Sequence, residues 1–266
     1  MARIGLVAGG GGLPIEFARA AKTAGDTVIV FGVKGLTGES VAKYADKVHW
    51  IKWGDFKKAI LLVATERVSK VALLGKIKKE LLFKEGALDE EASKIVKSAG
   101  GKKDYAVLNG VAGVMKKFGI DIIDPTPYLK KFIPQKGVIT KRVPSASESS
   151  DIEYARSIAC HMAEFDVGQT VTVKDKTVIA LEAAEGTDQT IKRAGELVSG
   201  GFVVVKMARP KQDMRFDIPL VGLETIKMMQ KAHATALALE EKKTLLIDTE
   251  EVVKFADENK ISIIIV

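Results

Sequence analysis

Two acidic islands set in apolar surroundings hold the residues of this chain best suited to chemistry. The first runs Glu182-Ala-Ala-Glu185-Gly186-Thr187-Asp188. The second runs from Lys206 through Arg209, Lys211, Gln212, Asp213, Arg215 and Asp217 to Pro219. Each follows an apolar run that reads as a buried strand, residues 177–181 and 202–205. Asp213, Arg215 and Asp217 alternate, and in an extended segment such residues point to one face. Three charges on one face form either a structural ion-pair ladder or a Mg²⁺ site, because Mg²⁺ takes one or two carboxylates and completes its shell with phosphate oxygens. In the first island Thr187 or Asp188 also reads as a helix cap. Capping leaves Glu182, at the end of a strand, unexplained.

The elements that must position these residues come in two groups. Residues 3–8, 27–31, 69–74 and 121–124 are short apolar strands, and helical spacing fills residues 14–24 and 105–117. Continuous apolar strands alternating with helices indicate a parallel sheet covered on both faces. Residues 1–127 therefore read as a Rossmann-like α/β domain. Pro125, Pro127, Pro134, Gly137 and Pro144 punctuate residues 128–150, which read as a linker. Residues 151–266 read as a second α/β domain with a mixed sheet. Its expected order is a helix from 151 to about 165, strands 170–173 and 177–182, helix 187–197, strand 201–206 and an irregular loop. Helix 222–238, strand 244–247, helix 249–259 and strand 261–266 complete it.

Gly9-Gly-Gly-Gly12-Leu13-Pro14 falls in the first strand-to-helix turn. Glycines there let backbone approach a phosphate, and the helix N-terminus adds free N–H groups. The spacing fits the dinucleotide fingerprint badly, since Pro14 stands where a third glycine belongs. The second strand also ends on Phe31-Gly-Val-Lys34, a cation where NAD recognition needs an acid. Gly75-Lys76 closes another strand and is placed to share the crevice, with Lys78 and Lys79 beyond it. Lys102-Lys103-Asp104 opens a helix, with Asp104 as a candidate cap.

Composition narrows the classes. No apolar run reaches the ~18 residues that span a bilayer, and the N-terminus lacks the shape of a signal peptide. One cysteine, Cys160, excludes an internal disulfide and fits a reducing cytoplasm. Three scattered histidines (His49, His161, His233) beside it do not make a zinc site. Residues 1–130 hold 22 Lys and Arg against 14 Asp and Glu, whereas residues 131–266 hold 19 against 20. A basic half suits nucleic acid, an anionic membrane or a phosphorylated ligand; a Lys-rich solvated surface is the plainer explanation.

Three stretches together resemble the LpxI-type UDP-2,3-diacylglucosamine pyrophosphatases. They are Asp166-Val-Gly168-Gln169-Thr170-Val171, the first acidic island, and Lys206-x-x-x-Pro210-x-Gln212-Asp213-x-Arg215-x-Asp217-x-Pro219-x-x-Gly222-x-x-Thr225. The glycine cluster, Gly75-Lys76 and Gly137-Val-Ile-Thr140-Lys-Arg142-x-Pro144 fit the same pattern. The resemblance implies hydrolysis of UDP-2,3-diacylglucosamine to UMP and 2,3-diacylglucosamine 1-phosphate (lipid X) in lipid A biosynthesis, with Mg²⁺ or another divalent metal. It implies a homodimer, cytoplasmic and peripheral at the inner membrane, without nucleic acid.

Joined to the residues, the resemblance assigns catalysis to Asp213, Asp217, Arg215, Glu182, Glu185 and Asp188, and the metal to Asp213 and Asp217. Either aspartate can be the essential one. Substrate contacts fall to Gly11, Gly12, Leu13, Gly75, Lys76, Gly186, Thr187, Lys206 and Gln212. A nucleotide-dependent oxidoreductase and a non-catalytic nucleotide- or lipid-binding protein are the competing readings.

Overall fold

The computed structural model describes residues 1–76, 88–98, 104–165, 167–209 and 212–266. Two compact units divide the chain: Met1–Lys130 with Met214–Phe216, and Lys131–Asp213 with Asp217–Val266. Among the described residues no helix is long and apolar enough to cross a membrane.

The first unit is a five-stranded sheet of β1 (Arg3–Ala8), β2 (Thr27–Val33), β3 (Lys47–Ile51), β4 (Lys70–Leu74) and β5 (Asp121–Ile122). The strand order is β3-β2-β1-β4-β5 and every pairing is parallel. Helices α1 (Leu13–Thr23), α2 (Phe56–Thr65), α3 (Glu90–Ser98) and α4 (Asp104–Lys117) belong to the same unit. The Rossmann-like expectation therefore stands. Helix α1 starts with Pro in its first turn, where a missing N–H costs nothing, and buries Leu13, Phe17, Ala18 and Ala21 at helical spacing. Sequence patterning overlooked β3 and α2. The segment Lys-Val-His-Trp-Ile is a short edge strand whose side chains are mostly half-exposed, so it lacks the apolar run that marks its buried neighbours.

Glu66, just beyond α2, is nearly buried and gathers two cations and an imidazole. Arg3 reaches it at 2.8 Å, His49 Nε2 at 2.8 Å, and Lys47 lies on the same carboxylate. The His49 ring stacks on Phe31. The hydrogen bond from Lys47, then that from His49, pulls the Glu66 carboxyl from an ordinary 4.5 to about 2. This cluster ties the starts of β1 and β3 to the end of α2.

The second unit carries a six-stranded mixed sheet in the order β6-β13-β11-β9-β7-β8. Its strands are β6 (Gly137–Val138), β7 (Thr170–Lys174), β8 (Thr177–Leu181), β9 (Val203–Lys206), β11 (Ala236–Leu239) and β13 (Ser262–Ile265). A small parallel pair, β10 (Leu220–Val221) and β12 (Leu245–Leu246), stands apart. Strands β9, β11 and β13 run parallel, and β7 runs against β9. Strand β8 runs against β7, so it is again parallel to β9. The carboxyl ends of β8, β9 and β11 therefore share one sheet edge with the start of β7.

Alternate residues of each strand feed two cores. Val203 and Val205 pack with Ile152, Ala155 and Ala159 of α5 (Ala146–Glu164). Phe202 and Val204 pack with Ile191 of α6 (Thr187–Leu197), Ile226 of α7 (Leu223–Lys231) and Val252 of α8 (Thr249–Glu258). The β7–β8 turn has Asp175 and Lys176 at positive φ. The buried Asp151 carboxylate holds it by accepting both their N–H groups, at 2.9 and 2.7 Å.

Two expectations fail here. Residues 128–150 do not form a bare connection. Gly137–Val138 pairs with β13 as a sheet edge, and Ser145 opens α5 with a reciprocal capping box to Glu148, five residues before the expected start. Nor is 222–238 one helix. Helix α7 stops at Lys231, His233 takes φ 56°, and Ala236–Leu239 becomes a central strand between β9 and β13. Ala and Leu are good helix formers, but two flanking strands complete this segment's hydrogen bonds and bury it on both faces, so tertiary pairing overrides propensity.

The Glu66 cluster yields a pH-dependent outcome. A carboxyl whose pKa is lowered on folding stabilises the fold fully above its unfolded value and ceases to do so as pH falls through its folded value. Wild type should unfold at a higher temperature than Glu66→Gln at neutral pH. The gap between their midpoints should close between pH 4.5 and 2; a gap independent of pH would exclude the ionic explanation.

Candidate active site

Lys206, the last residue of β9, is only 8% exposed. It pairs in register with Thr170 of β7 and Leu239 of β11. Its ammonium donates to Thr187 Oγ1 at 2.7 Å. The Thr187 hydroxyl donates onward to Glu182 Oε1 at 3.2 Å and lies 3.3 Å from Thr170 Oγ1. Among the described residues no carboxylate stands within ion-pair distance of Lys206. A buried ion without a partner costs several kcal/mol, so a cation held here by one neutral hydroxyl is placed for an anion that the described residues do not provide. Helix α6 begins at the same edge. Its cap, Gly186, has φ 83° and no side-chain capping bond, so the N–H groups of the first turn add positive potential beside Lys206.

The other carboxylates of the first island are committed. Glu185 binds Arg193 at 2.6 Å and accepts from Ala183 N at 3.2 Å. Burial raises the Glu185 pKa, but its hydrogen bonds to backbone and to Arg193 outweigh that and hold it low. Arg193 also donates to the Leu181 carbonyl at 2.8 Å, fixing α6 to the end of β8. Asp188 accepts from Thr225 of α7 at 2.8 Å. Both acids brace the frame, and Glu182 is the one coupled to Lys206.

The second island is a turn and not an extended segment. Asp217 N donates to Asp213 O at 3.2 Å, an i to i+4 bond. The strict alternation of an extended segment therefore does not hold for Asp213, Arg215 and Asp217, because a turn brings Asp213 and Asp217 together along the backbone. Arg215 lies over its neighbour Phe216 at 4.8 Å, and Met214–Phe216 group with the first unit.

Gln212 shapes the loop. It accepts from Arg209 N at 3.0 Å and donates to the Asp217 carbonyl. Asp217 Oδ2 takes Arg209 Nη1 at 3.1 Å and Gln169 Nε2 at 3.0 Å. Glu240, beyond β11, accepts from Ala208 N at 2.7 Å and fixes the start of the loop. Sequence reasoning assigned no role to Gln169, Arg209 or Thr225; their partners lie 37 and 48 residues away for Thr225 and Gln169, and no local pattern announces such pairings.

In the first unit the loops after β1 and β4 are zipped together. Gly10 N donates to Lys76 O at 2.9 Å and Lys76 N to Gly10 O at 2.8 Å. A Cβ on Gly75, at φ 102°, would sit 2.8 Å from the Gly10 carbonyl oxygen. Gly9, Gly10 and Gly75 are thus explained by backbone meeting backbone. Gly11, at φ 92° with open space around it, and Gly12, the cap of α1, are exposed. The Leu13 side chain is buried and Lys76 is exposed. Lys78, Lys79, Lys102, Lys103, Pro210 and Lys211 lie outside the described residues, as does Asp166; α4 begins at Asp104.

Among the described residues no group of three or more His, Cys, Asp or Glu is placed to hold a metal. The Asp213–Asp217 pair nevertheless suits Mg²⁺ chemically. Both supply oxygen donors at the two ends of one turn, and Mg²⁺ needs only one or two carboxylates when phosphate and water complete its shell.

A parallel-sheet unit with an open glycine turn and a mixed-sheet unit with a buried lysine at its strand ends define a two-domain α/β protein with an anion-seeking edge. Family models for the LpxI N-terminal domain and the LpxI C-terminal domain match residues 3–132 and 135–264. The chain belongs to the LpxI family. A curated relative, the UDP-2,3-diacylglucosamine pyrophosphatase LpxI of Caulobacter vibrioides, is 28% identical over 269 residues, covering 97% of this chain and 95% of the relative.

Solved structures give only faint likenesses. The biotin carboxylase subunit of pyruvate carboxylase is 14% identical with TM-score 0.28 over 75% of this chain and 42% of that one. Phosphoribosylglycinamide synthetase from Anaerococcus prevotii is 13% identical with TM-score 0.27 over 76% of this chain and 44% of that one. This chain spans less than half of either structure, and neither likeness carries an argument.

Gly168 tests how tightly the site is assembled. A Cβ there would run into the Glu182 carbonyl oxygen. Gly168→Ala should destabilise by about 1–3 kcal/mol, read as a lower midpoint in thermal unfolding. Wild-type stability would mean that the backbone near Glu182 yields freely.

Proposed function

We propose that this chain is a divalent-metal-dependent hydrolase that cleaves the pyrophosphate of UDP-2,3-diacylglucosamine, giving UMP and 2,3-diacylglucosamine 1-phosphate for lipid A biosynthesis. The observation that carries this reading is Lys206, buried beside the start of α6 with no carboxylate partner among the described residues, in a chain of the LpxI family. A pyrophosphate answers that arrangement, because its oxygens take the two remaining ammonium hydrogens and the N–H groups of the helix turn.

The residues divide the work. Lys206, Thr187 and Gly186 bind phosphate oxygens. Glu182 aims the ammonium by fixing the Thr187 hydroxyl. Glu185 and Asp188 keep α6 in place through Arg193 and Thr225, and Gln212 braces the loop that carries Asp213 and Asp217. Asp213 and Asp217 would hold Mg²⁺, which when bound polarises the phosphoryl group as a Lewis acid. Arg209 and Arg215 offset phosphate charge. In the first unit the exposed Gly11 and Gly12, at the α1 N-terminus, are the proposed nucleotide contact, with Lys76 close by.

Incubation with UDP-2,3-diacylglucosamine and Mg²⁺ should release UMP, and removing the metal with a chelator should stop it. Lys206→Met should lower kcat/KM about 100- to 1,000-fold while the unfolding midpoint holds or rises, since a buried unpaired charge is gone. Asp213→Ala or Asp217→Ala should abolish turnover in a folded protein. Intact ligand on a binding but inactive wild type would replace the enzyme with a binding protein.

The substrate carries two acyl chains, so the enzyme is proposed to be cytoplasmic and to meet the inner membrane peripherally, as a homodimer. The basic excess of residues 1–130 supplies the attraction, at ~1 kcal/mol per Lys or Arg near an anionic surface. Binding to vesicles rich in anionic lipid should weaken steeply with salt; salt-independent binding would rule out this contact, and sedimentation of the same samples reads the dimer.

A further inference from the structure

All but one of the polar atoms of Asp217 are bonded. Its backbone N–H donates to the Asp213 carbonyl at 3.2 Å, and its own carbonyl accepts from Gln212 Nε2. In the carboxylate, Oδ2 accepts from Gln169 Nε2 at 3.0 Å and pairs with Arg209 Nη1 at 3.1 Å. Among the described residues Oδ1 makes no hydrogen bond or ion pair. The side chain is 43% exposed, so an ion in solvent reaches a carboxylate that is already half committed.

The two groups on Oδ2 differ in kind. Arg209 is a cation. Gln169 is neutral and more than nine-tenths buried, immediately before β7. The Gln169 backbone is fixed to the sheet edge: its N–H reaches Glu182 Oε2 at 3.4 Å and its carbonyl accepts from Met207 N at 2.9 Å. A carboxylate only accepts, so the NH₂ end of the amide faces Asp217. The other end, Oε1, is buried without a partner. A buried acceptor left unsatisfied is destabilising, so an apolar side chain of equal length would serve stability better. What the amide alone supplies is the donor to Asp217.

We infer that Gln169 is a positioning residue that restricts Asp217 to one available oxygen and thereby makes the site prefer Mg²⁺ to Ca²⁺, an inference that rests on the metal reading above. The two ions ask different things of a carboxylate. Mg²⁺ demands near-octahedral geometry and is content with one or two carboxylates, whereas Ca²⁺ gathers about 6–8 oxygens in a flexible shell and readily takes both oxygens of one carboxylate. With Oδ2 occupied, Asp217 cannot offer Ca²⁺ that second oxygen. Mg²⁺ receives a single oxygen whose direction is set, the service that groups behind a metal ligand perform. Arg209 occupies Oδ2 too, but its charge opposes a nearby metal ion; the neutral amide holds the oxygen without that repulsion.

Metal binding by the full chain tests this directly. Bound Mn²⁺ is measured by electron paramagnetic resonance and displaced with Mg²⁺ or with Ca²⁺. In the wild type, Mg²⁺ should displace Mn²⁺ at the lower concentration. Gln169→Met keeps the length of the side chain and removes the donor. Its Mg²⁺ affinity should fall about 10- to 100-fold while its Ca²⁺ affinity holds or rises, so that the preference collapses or reverses. The unfolding midpoint without metal should hold or rise, because an unsatisfied buried acceptor is gone. Gln169→Leu, different in shape and equally without a donor, should change the preference in the same way.

An unchanged preference in both variants overturns the inference, as does a wild type that prefers Ca²⁺. Equal losses for the two ions together with a lower midpoint make Gln169 merely structural and overturn it as well. If the wild type binds Mn²⁺ no better than Asp217→Ala does, the metal reading itself fails and this inference falls with it. That outcome is read before any Gln169 variant is made, so the two failures are distinguishable.

Discussion

A buried ammonium with no carboxylate at ion-pair distance among the described residues is the constraint on which the second unit is arranged. Lys206 emerges where β9 ends, between β7 and β11, and its charge must be tolerated in a nearly dry place. One hydroxyl, Thr187, is positioned to receive it, and that hydroxyl is in turn fixed by Glu182. Thr187 is also the first residue of α6, so the same contact locates a helix N-terminus. The frame around it follows: Arg193 and Glu185 bind α6 to β8, and Thr225 binds α7 to α6 through Asp188. Desolvating an ion is expensive, and the ligand that offsets this expense is the one the site selects.

The crossing of β8 back to the direction of β9 explains why the two islands meet. Strands parallel to one another deliver their following loops to one edge, and an antiparallel hairpin partner delivers its beginning there. Glu182 leaves β8, Lys206 ends β9, Glu240 follows β11, and Gln169 precedes β7. Four segments thus place polar residues in one row, the position at which open α/β sheets bind ligands. The turn at Asp213–Asp217 is held to that row by Gln169 and Arg209. In the first unit the same rule operates at Gly9–Gly12 and Gly75–Lys76, but backbone bonding between the two loops uses part of the opening and leaves Gly11 and Gly12 exposed.

Much of the scaffold was legible because it depends on local pattern. Strands β1, β2, β4, β7, β8 and β9 are apolar runs, and α1, α6 and α8 repeat their buried residues at helical spacing. Elements without such contrast were misread. Strand β3 lies at an edge and mixes Lys, His and Trp, while β11 is written in helix-forming Ala and Leu directly after a helix. The span 128–150 was punctuated by prolines, but its sheet edge and capping box depend on β13 and Glu148.

By itself the sequence determined the inventory: five carboxylates and their cations beyond two strand ends, a glycine turn before a helix, and motifs that place the chain in its family. Spacing sufficed there because strands and helices impose their own periods. Tertiary structure alone decided what each charge does. It committed Glu185 to Arg193 and Asp188 to Thr225, folded Asp213–Asp217 into a turn, and, among the described residues, left Lys206 without a carboxylate at ion-pair distance. The reason is physical. Whether a polar group is paired depends on neighbours brought close by folding, often tens of residues away, and on how much water burial has removed.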